Sequence, residues 1–286
     1  MPDIALTAST PDILATAPLR LGALRLPNRR VVMPAIRCQA SRGQVATFAM
    51  MEHYAANADA GLLLSEATHT MAGGRRHPDA PGIHSAEQVV AWQGVTDAVH
   101  QAGGRIALHL VHGGDDVSGA VEAITNAAQR ARRAGFDMLE IDATGAGCFG
   151  PLLAQGDNTP LADAVDAAMD VLGAGRVGVR LGLVGACPSS RPDAAMRATA
   201  DAIMALERLR PAFLHLLAPL AADDIAALAR SLFQGRVILN AGLGHKAVGR
   251  LLGNGMIDAA TFRAAPPVAN DRAVTARCRA PLLAAE

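Results

Sequence analysis

The sequence predicts a single (β/α)₈ TIM barrel, and three observations support this fold class. Eight short apolar runs alternate with longer amphipathic or alanine-rich stretches along the chain. Strands separated by helices run parallel, because each helical crossover returns the chain to the same edge of the sheet. The alternation continues over 286 residues without a break in composition, which favours one closed barrel over an open sheet. We therefore expect a single domain spanning residues 1–286.

The predicted strands share short length and a high content of β-branched and other aliphatic residues. In chain order they are 30–34, 61–66, 105–111, 138–142, 176–181, 213–217, 236–240 and 259–262. The predicted helices share a helical spacing of apolar residues. They are 47–58, 86–101, 121–134, 161–172, 194–209, 223–233, 245–252 and 270–279. Residues 1–10 are rich in Pro, Ala and Thr, and we expect them to be disordered.

Composition narrows the classes of function. Lys plus Arg and Asp plus Glu number 26 each, so no global charge favours nucleic acid or an anionic membrane as partner. The four cysteines are far apart, which disfavours a zinc site or a disulfide framework. The sequence shows neither a signal peptide nor an apolar run of bilayer length. We expect a cytoplasmic protein with a small-molecule substrate. The sequence leaves open whether the protein forms a homo-oligomer.

Catalytic groups of such a barrel lie where strands end and the following loops begin. The sequence places His109, His112 and Asp142 at two such strand ends. A histidine titrates near neutral pH and a neighbouring carboxylate can orient it, so these three residues are candidates for acid–base catalysis. Two histidines and a carboxylate could also bind a metal ion, but nothing in their spacing requires one, and we predict none.

Asp142 has two interpretations. It either caps the loop that begins at Thr144 or acts as a desolvated base with a raised pKa. Glu140 alternates with Asp142 along one predicted strand, so both side chains should face the barrel interior. Two inward carboxylates need partners such as Arg180 or His109, or one of them must take a proton.

Several segments together resemble the Old Yellow Enzyme family of flavin oxidoreductases. The similarity is dense from about residue 17 to 142 and patchier afterwards. The segments that carry it are PLRLG (18–22), LPNR (26–29), VMP (32–34), GLLLSEAT (61–68), PGIH (81–84), VTDAVH (95–100), AGGR (102–105), AGFD (134–137), EI (140–141), RVGVRL (176–181) and NAG (240–242).

The resemblance implies an FMN-binding barrel that passes hydride from NAD(P)H through the flavin to an activated alkene. It implies that Arg180 lies beside the pyrimidine side of the flavin ring. It implies that Gly242, Gly244 and Arg263 surround the phosphate. By the same correspondence, Pro34, Ala67 and His109 are candidate cofactor-binding residues.

This chain departs from the family pattern in several places. Ile36 occupies a position where the family carries Thr or Cys, and His109 replaces a glutamine that contacts the flavin. The pair of donors that holds the substrate carbonyl falls on Asp142 and Gly145. Two active-face loops are shortened, and the family's proton-donating tyrosine is missing; Tyr54 is the only tyrosine.

Three hypotheses follow. The first is an FMN-binding oxidoreductase with an altered substrate site, acting on a small unsaturated or carbonyl compound. The second is a flavin-free barrel that isomerises, eliminates or cyclises a biosynthetic intermediate with His109, His112 and Asp142. The third is a non-catalytic binding protein.

Overall fold

The computed structural model describes residues 14–33, 39–72, 79–113, 117, 119–144, 147–182, 192–218 and 222–263. Its strands, in chain order, are β1 Leu19–Leu21, β2 Leu24–Leu26, β3 Arg30–Met33, β4 Leu62–Leu64, β5 Thr68–His69, β6 Ile106–Val111, β7 Met138–Asp142, β8 Val177–Gly182, β9 Phe213–Leu217, β10 Arg236–Asn240 and β11 Ala259–Arg263. Its helices are α1 Phe48–Ala55, α2 Ala86–Gln101, α3 Ala120–Arg133, α4 Phe149–Ala154, α5 Thr159–Leu172, α6 Pro192–Leu209, α7 Ala222–Leu232 and α8 His245–Gly253.

Eight parallel strands close into a barrel. The sheet runs β4-β3-β11-β10-β9-β8-β7-β6, and a further pairing between β4 and β6 closes it. The short strand β5 adds to β6 at the end of that strand. The barrel confirms the predicted fold class, and the strands β7, β9 and β10 have the predicted bounds.

The antiparallel hairpin β1–β2 closes the amino-terminal end of the barrel. Its four leucines are buried and share one apolar cluster with interior residues of the barrel strands. Gly22 forms the turn with a φ of 54°, and a Cβ on it would lie 2.2 Å from the Gly175 carbonyl oxygen. Only glycine satisfies both conditions at that turn.

A second apolar layer fills the space between the barrel and its helices. Helix α2 begins with a complete capping box, in which Ser85 and Gln88 each bond the main chain of the other. Trp92 of this helix is fully buried, packs edge-on against Phe136 with ring centroids 5.2 Å apart, and donates to the Gly82 carbonyl. This layer holds the helices against the strands whose ends form the site.

Some elements differ from the sequence-based expectation, and the two-residue strand β5 was not predicted. Helix α4 was not predicted, because its six residues are too few to show a helical period. The predicted strand 61–66 is shortened to β4, and its last residues form a bend. The predicted helix 270–279 and the predicted disordered segment 1–10 lie outside the described residues. Within the described part of the chain, no helix combines the length and apolarity needed to cross a membrane.

Candidate active site

A polar layer lies above the apolar interior of the barrel. Side chains alternate along each strand, so every second residue of β6 to β9 points inward. The strand register pairs His109 with Glu140, Asp142 with Arg180, and Arg180 with His215. Four neighbouring strands therefore bring five ionisable side chains to the carboxyl-terminal half of the barrel.

Glu140 is the centre of this layer and has no exposed surface. Its Oε2 lies 2.6 Å from Nδ1 of His109, and its Oε1 lies 2.6 Å from Nδ1 of His215. Burial raises the pKa of Glu140, but attraction and hydrogen bonding from His215 and His109 outweigh it, so the net shift is downward. Glu140 is therefore an ionised carboxylate that accepts from both rings.

His109 presents its other nitrogen to two further groups. Its Nε2 lies 3.2 Å from Oδ2 of Asp142 and 3.3 Å from NH1 of Arg180. The same arginine nitrogen is 4.0 Å from Asp142 Oδ2. Burial lowers the pKa of His109, but Asp142 and Glu140 together raise it by more, so the net direction is upward. The two carboxylates therefore stabilise the imidazolium form of His109 relative to the neutral ring.

Asp142 is held as a loop cap. Its Oδ1 accepts from the main-chain N–H of Thr144 at 2.7 Å and from the Thr144 hydroxyl at 2.6 Å. Burial raises the pKa of Asp142, but hydrogen bonding and attraction from His109, with Arg180 and Thr144, lower it to about 2. The hypothesis of a base with a raised pKa is therefore wrong, since both oxygens are engaged by donors.

His112 takes different partners from His109. Its Nδ1 lies 2.7 Å from the hydroxyl of Thr70, and its carbonyl accepts from the main chain of Cys148. A separation of three residues on an extended chain directs His109 and His112 to opposite faces. These contacts do not bring the two rings together, and a catalytic role for His112 stays a prediction.

The predicted phosphate residues lie around the start of α8. Gly242 has a φ of 63°, and a Cβ on Gly242 or Gly244 would meet no atom within 4 Å. Gly244 is the N-cap of α8, and Arg263 ends β11 as an exposed side chain. Lys246, the only lysine of the chain, follows in the first turn of α8 and is exposed. Exposed backbone N–H groups and two cations suit a phosphate.

Of the remaining predicted site residues, Ala67 lies among the described residues and Pro34 does not. Ala67 is half-buried just after β4, at the same end of the barrel as His109. Pro34, like the departures at Ile36 and Gly145, lies outside the described residues. Among the described residues, no group of three or more His, Cys, Asp and Glu side chains is arranged to hold a metal ion.

Sequence reasoning did not assign Glu140 and His215 to the site. His215 lies within β9 and is fully buried against Glu140. Ser65 was also missed; its hydroxyl accepts from the main-chain N–H of His109 at 2.9 Å. The available signal was the alternation of side chains along each strand, because His109 of β6, Glu140 of β7 and His215 of β9 all occupy inward positions.

Arg180 is a part-buried cation at one strand end, and the glycine-bordered start of α8 follows two strands further on. Such an arrangement is typical of a cofactor-binding TIM barrel. The family model described as "NADH:flavin oxidoreductase / NADH oxidase family" matches residues 16–120. Among curated proteins, a flavin mononucleotide-dependent alkene reductase of Leishmania infantum is 40% identical over 97 residues, or 34% of this chain. A 12-oxophytodienoate reductase 7 of Oryza sativa subsp. japonica is 40% identical over 99 residues, again 34% of this chain. These matches span 27% and 25% of the two relatives, so the similarity covers about a quarter of their length.

Solved structures match over most of the chain. The old yellow enzyme homologue of Zymomonas mobilis gives a TM-score of 0.79 at 26% identity, covering 87% of this chain and 88% of that one. A variant of the same enzyme is 30% identical with a TM-score of 0.77, covering 87% and 86%. Morphinone reductase in complex with tetrahydroNAD is 27% identical with a TM-score of 0.79, covering 95% and 91%. The chain belongs to the Old Yellow Enzyme family.

Proposed function

We propose that this protein is an FMN-dependent oxidoreductase with an altered substrate site, acting on a small unsaturated or carbonyl compound with NAD(P)H as reductant. The observation that carries the proposal is the position of Arg180, a part-buried cation at a strand end of a barrel whose relatives include a flavin mononucleotide-dependent alkene reductase. Bound FMN would supply hydride transfer, and the protein would supply binding, orientation and electrostatics.

The described residues fit the ring of such a cofactor. Arg180 is part-buried, its side chain is 13% exposed, and its Nε is buried without a hydrogen-bond partner. Buried polar atoms are normally satisfied, so an orphaned guanidinium nitrogen indicates a missing acceptor. The pyrimidine edge of a flavin offers carbonyl and ring-nitrogen acceptors. Arg180, with His109 beside it, would hold that edge.

The described residues also fit the phosphate. Gly242 and Gly244 leave room for a ligand to approach the backbone closely. The first N–H groups of α8 would donate to phosphate oxygens, and Arg263 and Lys246 would supply positive charge. The strand ends of β8, β10 and β11 would thus bind the two halves of one molecule.

The substrate position is where this chain departs from its relatives. The residue in place of a carbonyl donor, Asp142, is an ionised carboxylate occupied by Thr144 and His109. A carboxylate repels the negative charge that develops on a carbonyl oxygen during hydride addition. Within the polar layer of described residues, His109 is a group that could hold or deliver a proton, with Asp142 orienting it.

The flavin-free alternative is not favoured. It would use His109, His112 and Asp142, and the low pKa of the Asp142 carboxyl makes that one group a weak base at neutral pH. The relatives that match the chain are named as reductases. Acid–base chemistry by His109 is compatible with either function and does not favour the flavin-free barrel.

The proposal is tested by flavin binding. The purified protein should absorb near the visible flavin bands, or acquire them when FMN is added and excess is removed. Arg180→Ala should weaken FMN binding by about 1.5–3 kcal/mol, the range for a hydrogen bond to a charged group, measured by quenching of flavin fluorescence. Arg20→Ala, an exposed arginine of the hairpin at the other end of the barrel, is the matched control. Absence of binding by the wild type, or equal affinity in Arg180→Ala, would contradict the proposal.

A further inference from the structure

We infer that Glu140 is a positioning residue of the site: it fixes a proton on Nδ1 of His109, so that Nε2 is the atom that titrates. The proton on Nε2 then decides whether Arg180 is held by His109 or is available to an anionic ligand. This inference deepens the proposed function, since the ligand concerned would be the cofactor or substrate at Arg180.

The first step is the hydrogen-bond capacity of Glu140. Its two oxygens each lie 2.6 Å from an Nδ1, one of His109 and one of His215. A carboxylate only accepts, so both histidines carry a proton on Nδ1. His215 is buried, its pKa is lowered, chiefly by burial, and its Nε2 has no partner, which is the pattern of a neutral ring. His215 therefore anchors Glu140 without adding charge.

The second step is competition at Nε2 of His109. To accept from Arg180 NH1 at 3.3 Å, Nε2 must carry a lone pair. To donate to Asp142 Oδ2 at 3.2 Å, the same atom must carry a proton. One nitrogen cannot do both, so the two contacts belong to two protonation states. Protonation replaces the bond to Arg180 by one to Asp142.

The third step is the charge that a ligand meets. With His109 protonated, the cations His109 and Arg180 balance the anions Glu140 and Asp142. Loss of the proton leaves one net negative charge beside Arg180 and engages the guanidinium with Nε2. An anion at Arg180 is therefore bound more tightly when His109 is protonated, and it raises the proton affinity of His109 in return.

The charged groups that set the proton affinity of the His109 ring lie on the neighbouring strands β7 and β8. The segment from β4 to β5 carries the titratable residues Glu66 and His69, and its described contact with His109 is the Ser65 hydroxyl on the main-chain N–H. On its own strand, His112 bonds Thr70. The charged groups that face the His109 ring are those of β7 and β8, with His215 of β9 behind Glu140.

The test is a histidine nitrogen NMR titration of the protein as purified, with His109 assigned by the signal lost in His109→Gln. Neutral His109 should carry its proton on Nδ1, the less common tautomer, and should titrate above 6.5. Glu140→Gln should lower its proton affinity about ten-fold or more, the effect of removing a charge in contact. Arg180→Gln should raise it. The control is His100 of α2, which pairs with Asp137 outside this network; its NMR signals should be the same in both variants as in the wild type.

Acetate serves as the anionic probe. It should raise the proton affinity of His109 in the wild type and leave it unchanged in Arg180→Gln. A proton on Nε2 of neutral His109, or a titration that acetate does not alter, would overturn the inference. Both of these measurements use the wild type, so they decide the matter even where Glu140→Gln fails to fold. FMN binding is measured separately. Its absence would overturn the proposed function, whereas the NMR titration would still test the inference about Glu140 and His109.

Discussion

Asp142 stands where the family resemblance places a donor to the substrate carbonyl. Its side chain is 5% exposed, and its oxygens are engaged by Thr144, His109 and Arg180. It therefore acts on His109 and the loop, and it offers no proton to a substrate. An aspartate at this position without those donors would have a higher pKa and could act as a base. The partners of Asp142 therefore decide its role.

We expect slow reduction of ordinary enones as a consequence. The loss of one oxyanion donor typically costs about 10²–10³ in rate. The measurement is the turnover of 2-cyclohexenone with NADH and NADPH, in the wild type and in Asp142→His combined with Gly145→Asn. The double variant restores two donors and should be faster. Fast reduction by the wild type, or no gain in the variant, would show that the carbonyl is bound elsewhere.

At the scale of elements, one glycine decides how the barrel interior is packed. Gly178 of β8 lies opposite Phe213 of β9 in the strand register. A Cβ at position 178 would lie 2.2 Å from the Phe213 ring, which is fully buried across the interior. The phenylalanine fills the layer directly below the polar network because its neighbour has no side chain.

Gly178→Ala should therefore destabilise the protein by about 1–3 kcal/mol, the usual cost of overpacking a filled core. Gly94→Ala is the matched control, because Gly94 is exposed on α2 with no atom within 4 Å of its added Cβ. That variant should gain up to about 1 kcal/mol from helix propensity. Both are measured by urea unfolding. Equal stability of Gly178→Ala and the wild type would mean that the Phe213 ring can move aside.

At the scale of the whole molecule, buried histidines make stability depend on pH in opposite ways. The pKa of His109 is raised above 6.5, so its contribution is complete below pH 6.5 and is lost as pH rises through the folded-state pKa. The pKa of His215 is lowered from 6.5, so its contribution is complete above pH 6.5 and is lost as pH falls. Burial also lowers the pKa of His84, so this residue adds to the loss of stability as pH falls.

The free energy of unfolding should accordingly be highest near pH 6.5 and lower at pH 5 and pH 8.5. His109→Gln should remove the decrease above pH 6.5 and leave the decrease below it. Urea unfolding at the three pH values measures both. Measurements stop at pH 8.5 because burial raises the pKa of Cys148 from 9.0 to about 11, which adds a further loss of stability at higher pH. Persistence of the alkaline decrease in His109→Gln would assign it to another group.

The sequence by itself determined the order and type of most elements, since these depend on short-range periodicity. It also placed His109, Asp142 and Arg180 at strand ends and directed Glu140 inward, because side-chain direction in a strand follows from position alone. It did not predict α4, which is shorter than two turns. It also did not predict the hydrogen bond from the main-chain N–H of His109 to the Ser65 hydroxyl.

Only the tertiary structure decided what these residues do to one another. Arg180 and His109 are 71 residues apart, and Glu140 and His215 are 75 apart, so their contacts depend on strand register around the closed barrel. That register makes Glu140 the common acceptor of two histidines and gives Asp142 enough donors to lower its pKa. Sequence patterns report which face a side chain takes, whereas its protonation depends on the charges and donors within a few ångströms, and these come from distant strands.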